Sequence, residues 1–243
     1  MAVRPQILLA TFCLITLTQV YSIKIGSFNI QLFGQSKVAK DDVVDVLVQI
    51  LNRYDLLLIM EIRDKAGTAI VELLDALNNV SSENYKMVIS SRTGRSTSKE
   101  QYTFFYKPEL FEVTDQYEYD DGDEELKEDT FEREPFIVRF SSPSTLVKDF
   151  AMVGIHTKPD DAFNEIDTLA DVYDDITEKW NIEDVIIAGD FNAGCSYVKD
   201  WTGNRLRQDR FKWLVKDDAD TNVAHKQCPY DRFVIGGTVF LKE

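Results

Sequence analysis

Two short, wholly apolar runs constrain this chain most: Leu56-Leu-Leu-Ile-Met60 and Val185-Ile-Ile-Ala188. Each is the length of a buried strand rather than of a helix, and each ends abruptly in polar groups. Glu61 follows the first, and Gly189-Asp-Phe-Asn192 follows the second. A carboxylate at the end of a buried strand is costly unless it is paired or metal-bound. Both strand ends are therefore candidate positions for holding a divalent metal or a phosphate.

The rest of the chain alternates between the two periodicities. Residues 23–28, 85–90, 101–106, 111–119, 135–140, 150–155 and 233–241 read as strands. Residues 42–51, 68–77 and 162–180 carry apolar positions at helical spacing. Polar loops lie at 91–98 and, strongly acidic, at 120–129. No internal repeat or linker interrupts the pattern. Mixed strands and helices along 243 residues, 44% of them hydrophobic, suit one domain of sheets with helices outside.

Residues 1–22 read as a signal peptide. Arg4 gives a positive start, residues 7–20 are largely apolar, and Val20 and Ser22 are small residues before a cleavage point. No later segment is long and apolar enough to span a bilayer. Export removes Cys13 and leaves Cys195 and Cys228, which in an oxidising compartment are expected to pair. Asn79-Val-Ser81 is then a possible glycosylation acceptor. The net charge of −15 does not advertise nucleic-acid binding. Contact with a polyanion would have to rely on bound cations and a few arginines, giving weak, salt-sensitive affinity. The same acidity suits calcium.

Four segments, Gly26-Ser-Phe-Asn-Ile30, Leu58-Ile-Met-Glu-Ile62, Gly154-Ile-His-Thr157 and Ala188-Gly-Asp-Phe-Asn-Ala193, together resemble the secreted deoxyribonuclease I family. The resemblance covers residues 23–241. It implies an α/β (α+β) fold, a four-layer sandwich of two packed mixed β-sheets flanked by helices. Residues 23–243 would form one endonuclease domain lacking the last family strand. The implied activity is hydrolysis of double-stranded DNA to 5′-phosphate products with low sequence specificity, using Mg²⁺ (or Mn²⁺) and Ca²⁺. Glu61 matches the family's principal magnesium ligand, and Asn29 a neighbouring metal and phosphate contact. By the same resemblance, Asp190 would orient water or the phosphate, and Asn192 would contact the phosphate. The resemblance makes His156, backed by Glu100, the acid at the leaving 3′ oxygen, the carboxylate fixing the ring tautomer. Asp231 matches the carboxylate that steadies a second catalytic histidine. That histidine is expected beyond residue 243, and His225 reads as a solvated loop residue.

The resemblance also assigns DNA contacts and calcium ligands. Arg63 matches a minor-groove arginine, and Arg133 and Tyr197 match phosphate-side groups. Ser98 stands where the family has a groove-stacking tyrosine, and Arg92 and Arg95 are further phosphate candidates. Asp121, Asp129, the Phe131 carbonyl and Glu134 match one calcium site, whose usual small disulfide is replaced by Asp123 and Leu126. A second site keeps Asp220 but reads Asn222, Ala224 and Lys226 where threonines are expected. Met87 and Ile89 occupy the strand positions of the family's actin-binding face, so actin binding is not supported. A monomer is expected. Two alternatives stay open at this point: a truncated, catalytically impaired pseudo-nuclease, and another phosphodiesterase of the superfamily, of the sphingomyelinase or inositol phosphatase type.

Overall fold

The computed structural model describes residues 23–122 and 129–242. Residues 1–22, expected from the sequence to be a signal peptide and containing Cys13, and the loop positions Asp123 and Leu126 lie outside the described residues. Among the described residues, ten strands and four α-helices follow in the order β1 (Ile25–Phe33), α1 (Gln35–Val38), α2 (Asp41–Leu51), β2 (Leu56–Ile62), α3 (Thr68–Val80), β3 (Lys86–Ile89), β4 (Gln101–Tyr106), β5 (Glu112–Glu118), β6 (Phe136–Ser141), β7 (Asp149–His156), α4 (Ala162–Trp180), β8 (Val185–Asp190), β9 (Phe211–Trp213) and β10 (Asp231–Gly236).

The strands form two mixed sheets, ordered β1-β2-β4-β3 and β5-β6-β7-β8-β10-β9. The apolar runs are continuous because both faces of their strands are covered. Leu56, Leu58 and Met60 of β2 point between the sheets and meet Val138, Met152, Ile186 and Ala188. Leu57 and Ile59 point outward beneath α2 and α3. Val185 and Ile187 of β8 point the other way, beneath α4. The result is four layers: helices, four strands, six strands, helix.

Several boundaries differ from the sequence reading. The last strand was expected over 233–241, but it spans Asp231–Gly236 and stops because Gly237 turns at φ +111°. The Asp184 carboxylate accepts the Val239 and Phe240 amides at 2.9 and 3.0 Å, holding residues 240–242 in a short 3₁₀ turn. β1 continues past Phe28 to Phe33 through an irregularity between Asn29 and Phe33. Periodicity gave no warning of α1 or β9, each under five residues. β1 is an edge strand, and a groove of about 870 Å³ runs along it. Phe28, Val43, Val46, Leu47 and Phe233 line the groove, which ends at Asp231.

Candidate active site

Parallel pairing brings the polar strand ends to one rim. β1 and β2 run parallel with Asn29 level with Met60, and β7 and β8 run parallel with His156 level with Asp190. β10 runs antiparallel to β8 and starts with Asp231 opposite Asp190. The rim is also where the backbone is strained. Gln31, Leu32, Glu61 and Asn192 all hold positive φ, between +46° and +61°. Side chains disfavour that region, and such strain persists where surrounding contacts enforce it.

Those contacts are specific. Asn29 Nδ2 donates to Glu61 Oε1 at 3.0 Å and to Asp190 Oδ2 at 3.2 Å. One amide thus holds two carboxylates from different sheets. The Gln31 amide donates to Asn29 Oδ1 at 2.9 Å, and the Leu32 amide to Glu61 Oε2 at 2.8 Å. Lys37 closes this turn from behind, its Nζ donating to the Ile30 and Gln31 carbonyls at 2.7 and 2.6 Å. Nothing in the sequence pattern marked Lys37 for this role, because its partners are backbone atoms.

His156 is 8% exposed, and its Nδ1 lies 3.0 Å from Glu100 Oε2. Nε2 is left facing the rim, 3.9 Å from Asp190 Oδ2. Glu100 is 1% exposed and also receives Arg63 Nη2 at 2.5 Å, with Arg133 Nε at 3.8 Å. Burial pushes the Glu100 carboxyl up, but His156, Arg133 and Arg63 outweigh it and hold it at about 2. The Tyr102 hydroxyl accepts the His156 amide at 3.0 Å. Arg133 Nε donates to the His156 carbonyl at 2.9 Å, so the guanidinium braces the backbone of the histidine from the loop before β6. Asn192 Nδ2 donates to the Thr157 carbonyl at 3.0 Å, fixing the loop after His156.

Glu165 was missed from sequence, although the signal was there. It sits on the apolar face of α4 with Ile166, Leu169 and Ala170, an acid at core spacing. Its carboxylate accepts the Glu132 and Lys158 amides, both at 3.1 Å, tying the loop that carries Arg133 to the loop that follows His156. Burial raises it to about 7, partly offset by those amides and by Arg133.

Asp231 completes the rim. Burial, then Asp190, push its carboxyl up to about 7, with Thr221 and His156 offsetting in part. Tyr197, 40% exposed, lies against Tyr230 with ring centroids 5.5 Å apart. Cys195 and Cys228 form a disulfide, Cα to Cα 5.8 Å, which ties the loop after Asn192 to the strand entry before Asp231.

Away from the rim, Asp121 Oδ2 accepts the Thr130 and Phe131 amides at 2.6 and 2.7 Å. Asp129 is ion-paired with Arg95, which also donates to the Asp129 carbonyl at 2.9 Å. Arg95 is thus a loop brace rather than a free phosphate contact, and Arg92 spends Nη2 on the Lys99 carbonyl at 2.8 Å. Phe131 is fully buried, and Glu134 stands in the same loop. Asp220 Oδ1 accepts the Asn222 and Cys228 amides at 3.2 and 3.3 Å, an ordinary turn.

Residues 26–241 match the model of the Endonuclease/Exonuclease/phosphatase family. Deoxyribonuclease-1 of Equus caballus is 49% identical over 221 residues, covering 90% of this chain and 78% of the relative. The chain belongs to the deoxyribonuclease I family. Deoxyribonuclease-1 of Oryctolagus cuniculus is 48% identical over 238 residues, 96% of this chain and 85% of its own. Solved structures of the wider superfamily share the fold at low identity. The endonuclease/exonuclease/phosphatase from Bacteroides vulgatus has a TM-score of 0.61 at 16% identity, over 88% of this chain and 87% of its own. The mannosyl-6-phosphatase of Bacteroides thetaiotaomicron has a TM-score of 0.59 at 12% identity, over 88% and 85%. The rim residues sit on β1, β2, β4, β7, β8 and β10 of this two-sheet fold or in the loops beside them.

Proposed function

We propose that the protein is a secreted, divalent-metal-dependent endonuclease that hydrolyses DNA phosphodiester bonds and leaves 5′-phosphates. The observation that carries the reading is the convergence of Asn29, Glu61, Asp190 and the His156–Glu100 pair on one rim, in a family whose deoxyribonuclease-1 members are about half identical to this chain.

Two carboxylates drawn onto one neutral amide suit a hard cation, which prefers carboxylate and amide oxygens. Glu61 and Asn29 are the residues that would hold Mg²⁺ or Mn²⁺. Glu61, Glu100 and His156 also have donor atoms within 4.8 Å of one another. Glu100, however, is already committed to His156 and Arg63. A bound divalent cation supplies charge neutralisation at the phosphate. The chain's own groups handle the protons. Glu100 holds the Nδ1 proton of His156, so Nε2 is the atom presented to the substrate. As water adds to phosphorus and the P–O3′ bond breaks, His156 Nε2 delivers a proton to the leaving 3′ oxygen. Asp190 and Asn192 position the phosphate, and Asp231 serves the side on which the water loses its proton, through a histidine partner. The open edge of β1 and the groove leading to Asp231 give an added strand bearing that histidine a place to pair.

Arg63, 33% exposed along its side chain, and Tyr197 are assigned to DNA contact. Arg133 is assigned to the phosphate side, where its bond to the His156 carbonyl leaves it one step from the reacting atoms. Asp121, Asp129, Phe131 and Glu134 form an all-oxygen set that suits Ca²⁺, with Arg95 competing for Asp129. Asp220 is engaged by the Asn222 and Cys228 amides. The Cys195–Cys228 disulfide supports export. Among the described residues, no helix is long and apolar enough to cross a membrane.

The test is plasmid nicking by residues 23–243 with Mg²⁺ and Ca²⁺, with EDTA, and with Glu61→Gln or His156→Ala. A parallel chain carries a family-like closing strand with its histidine. Metal-dependent nicking that either substitution abolishes, without loss of fold, is expected, strongest in the extended chain. Metal-independent nicking, or full activity in either variant, refutes the assignment. Turnover of sphingomyelin or inositol phosphates without nicking would replace it.

A further inference from the structure

We propose that Asn79 is an N-glycosylation site, set at the foot of the molecule, where its glycan clears the catalytic rim and flanks the open edge of β3. The proposal rests on the export reading above.

Asn79-Val80-Ser81 is the chain's single Asn-x-Ser/Thr triplet. In the fold it is the exit of α3. Asn79 and Val80 are the last helical residues, and Ser81 leaves in extended conformation at φ −74°, ψ 145°. Asn79 is exposed, and Val80 is 63% exposed. The neighbouring Asn78 makes the contrast. Its Nδ2 donates to the Tyr85 carbonyl at 3.1 Å and its Oδ1 accepts the Tyr85 amide at 2.7 Å. Asn78 is thus spent on closing the 81–85 loop against α3, while Asn79 is presented to solvent.

The helix sets the distance from the rim. α3 starts beside Arg63, where Asp64 caps it by accepting the Thr68 and Ala69 amides at 2.8 and 2.9 Å. At 1.5 Å per residue, Asn79 lies about 16 Å further along the axis. Sheet register agrees. β3 begins with Lys86 level with Tyr106, and Tyr106 is level with Leu56, the end of β2 away from Glu61. β3 is an edge strand whose Met87, Val88 and Ile89 are only half-buried. Open edges invite pairing with a second chain, and bulky or charged neighbours block it. A solvated glycan one short loop from Lys86 would do the same.

The transfer needs a lipid-pyrophosphate-linked oligosaccharide as co-reactant. Asn79 Nδ2 forms a bond to the sugar C1 and loses one proton. The bond from C1 to the pyrophosphate oxygen breaks, and the lipid pyrophosphate leaves with the electron pair. Transfer acts on the chain before it is fully folded, so the fold has only to leave room afterwards, as the exposed helix end does.

The experiment is expression of the full chain, leader included, in cultured eukaryotic cells, with mass spectrometry of medium and lysate. One mass increment on secreted protein is expected, removed by peptide N-glycosidase F with conversion of Asn79 to aspartate. Asn79→Gln and Ser81→Ala should lack the increment and Ser81→Thr should keep it. Nicking rates should be equal with and without the glycan, and the glycan-free protein should self-associate at lower concentration in sedimentation velocity. Secreted protein with unmodified Asn79 overturns the site but leaves export standing. Protein retained in the cytosol overturns export and the site together. Altered nicking overturns the placement away from the rim, and unchanged self-association overturns the shielding of β3.

Discussion

Replacing Asp231 with asparagine should strengthen the fold while crippling the site. The Asp231 carboxyl is pushed from an ordinary 3.8 up to about 7, by burial first and then by Asp190 opposite it in the ladder. An acid whose value is raised in the folded state binds its proton more tightly there than in the unfolded chain. Between pH 3.8 and 7 the folded state therefore carries the extra proton, and stability falls as pH rises through that window. At pH 7.5 the accumulated penalty amounts to at most about 4 kcal/mol, and below pH 3.8 it vanishes. Asp231→Asn removes the titration and keeps the backbone bond from the Asp231 amide to Thr221 Oγ1, 2.9 Å. Urea unfolding in EDTA, at pH 4 and at pH 7.5, reads the effect. The variant should be the more stable protein at pH 7.5 by up to about 4 kcal/mol and nearly equal at pH 4. In the chain extended by a family-like closing strand with its histidine, nicking of plasmid DNA should fall on the order of 10²–10⁴-fold, as when one member of a coupled catalytic set is lost. A difference in stability that does not depend on pH, or a variant weaker at pH 7.5, refutes the account of Asp231 as a strained acid. Unimpaired nicking removes it from the site.

Three further outcomes follow from the geometry. Glu100, held at about 2 against an ordinary 4.5, should contribute about 3 kcal/mol above pH 4.5, lost as pH falls towards 2. Glu100→Gln should therefore lower the thermal midpoint at pH 7 and converge with wild type in acid; a constant gap contradicts this. Gly189 holds φ +146°, and a Cβ there would sit 1.8 Å from the Ile155 carbonyl oxygen, so Gly189→Ala should destabilise by more than about 3 kcal/mol in urea. Lys37→Met should weaken Mn²⁺ binding about tenfold by calorimetry, through loss of the brace behind Gln31 and Leu32, with Lys37→Arg recovering part of it; unchanged affinity would rule out the brace.

The layers and the rim were legible because their signal is local. A strand buried on both faces must be apolar throughout, so Leu56–Met60 and Val185–Ala188 announced themselves, and the polar residue ending each was conspicuous. What stayed hidden depends on partners distant in sequence or on the main chain. Lys37 binds carbonyls, which leave no trace in side-chain pattern. Arg133 reads as a phosphate group from its match alone, yet its nearest firm partner is the His156 carbonyl. Arg95 looked available for DNA, but Asp129 across the acidic loop takes it. The overextended last strand failed for a local reason: Val239 and Phe240 have strand propensity, and the Asp184 carboxylate captures their amides instead.

The two sheets divide the rim between them. Asn29, Glu61 and Glu100 ride on the four-stranded sheet or its loops, and His156, Asp190, Asn192 and Asp231 on the six-stranded one. The Asn29–Asp190 and Glu100–His156 bonds therefore cross a seam, as does the Asp190 amide to Met60 Sδ contact at 3.3 Å. The aromatic packing of Phe104 against Phe136 and Phe140, with Leu56, Leu58 and Met60 against Val138 and Met152, joins the two halves. Catalytic competence is thus a vernier on inter-sheet spacing. Two intact sheets slid apart by an ångström would keep nearly all their secondary structure and still be unable to cut.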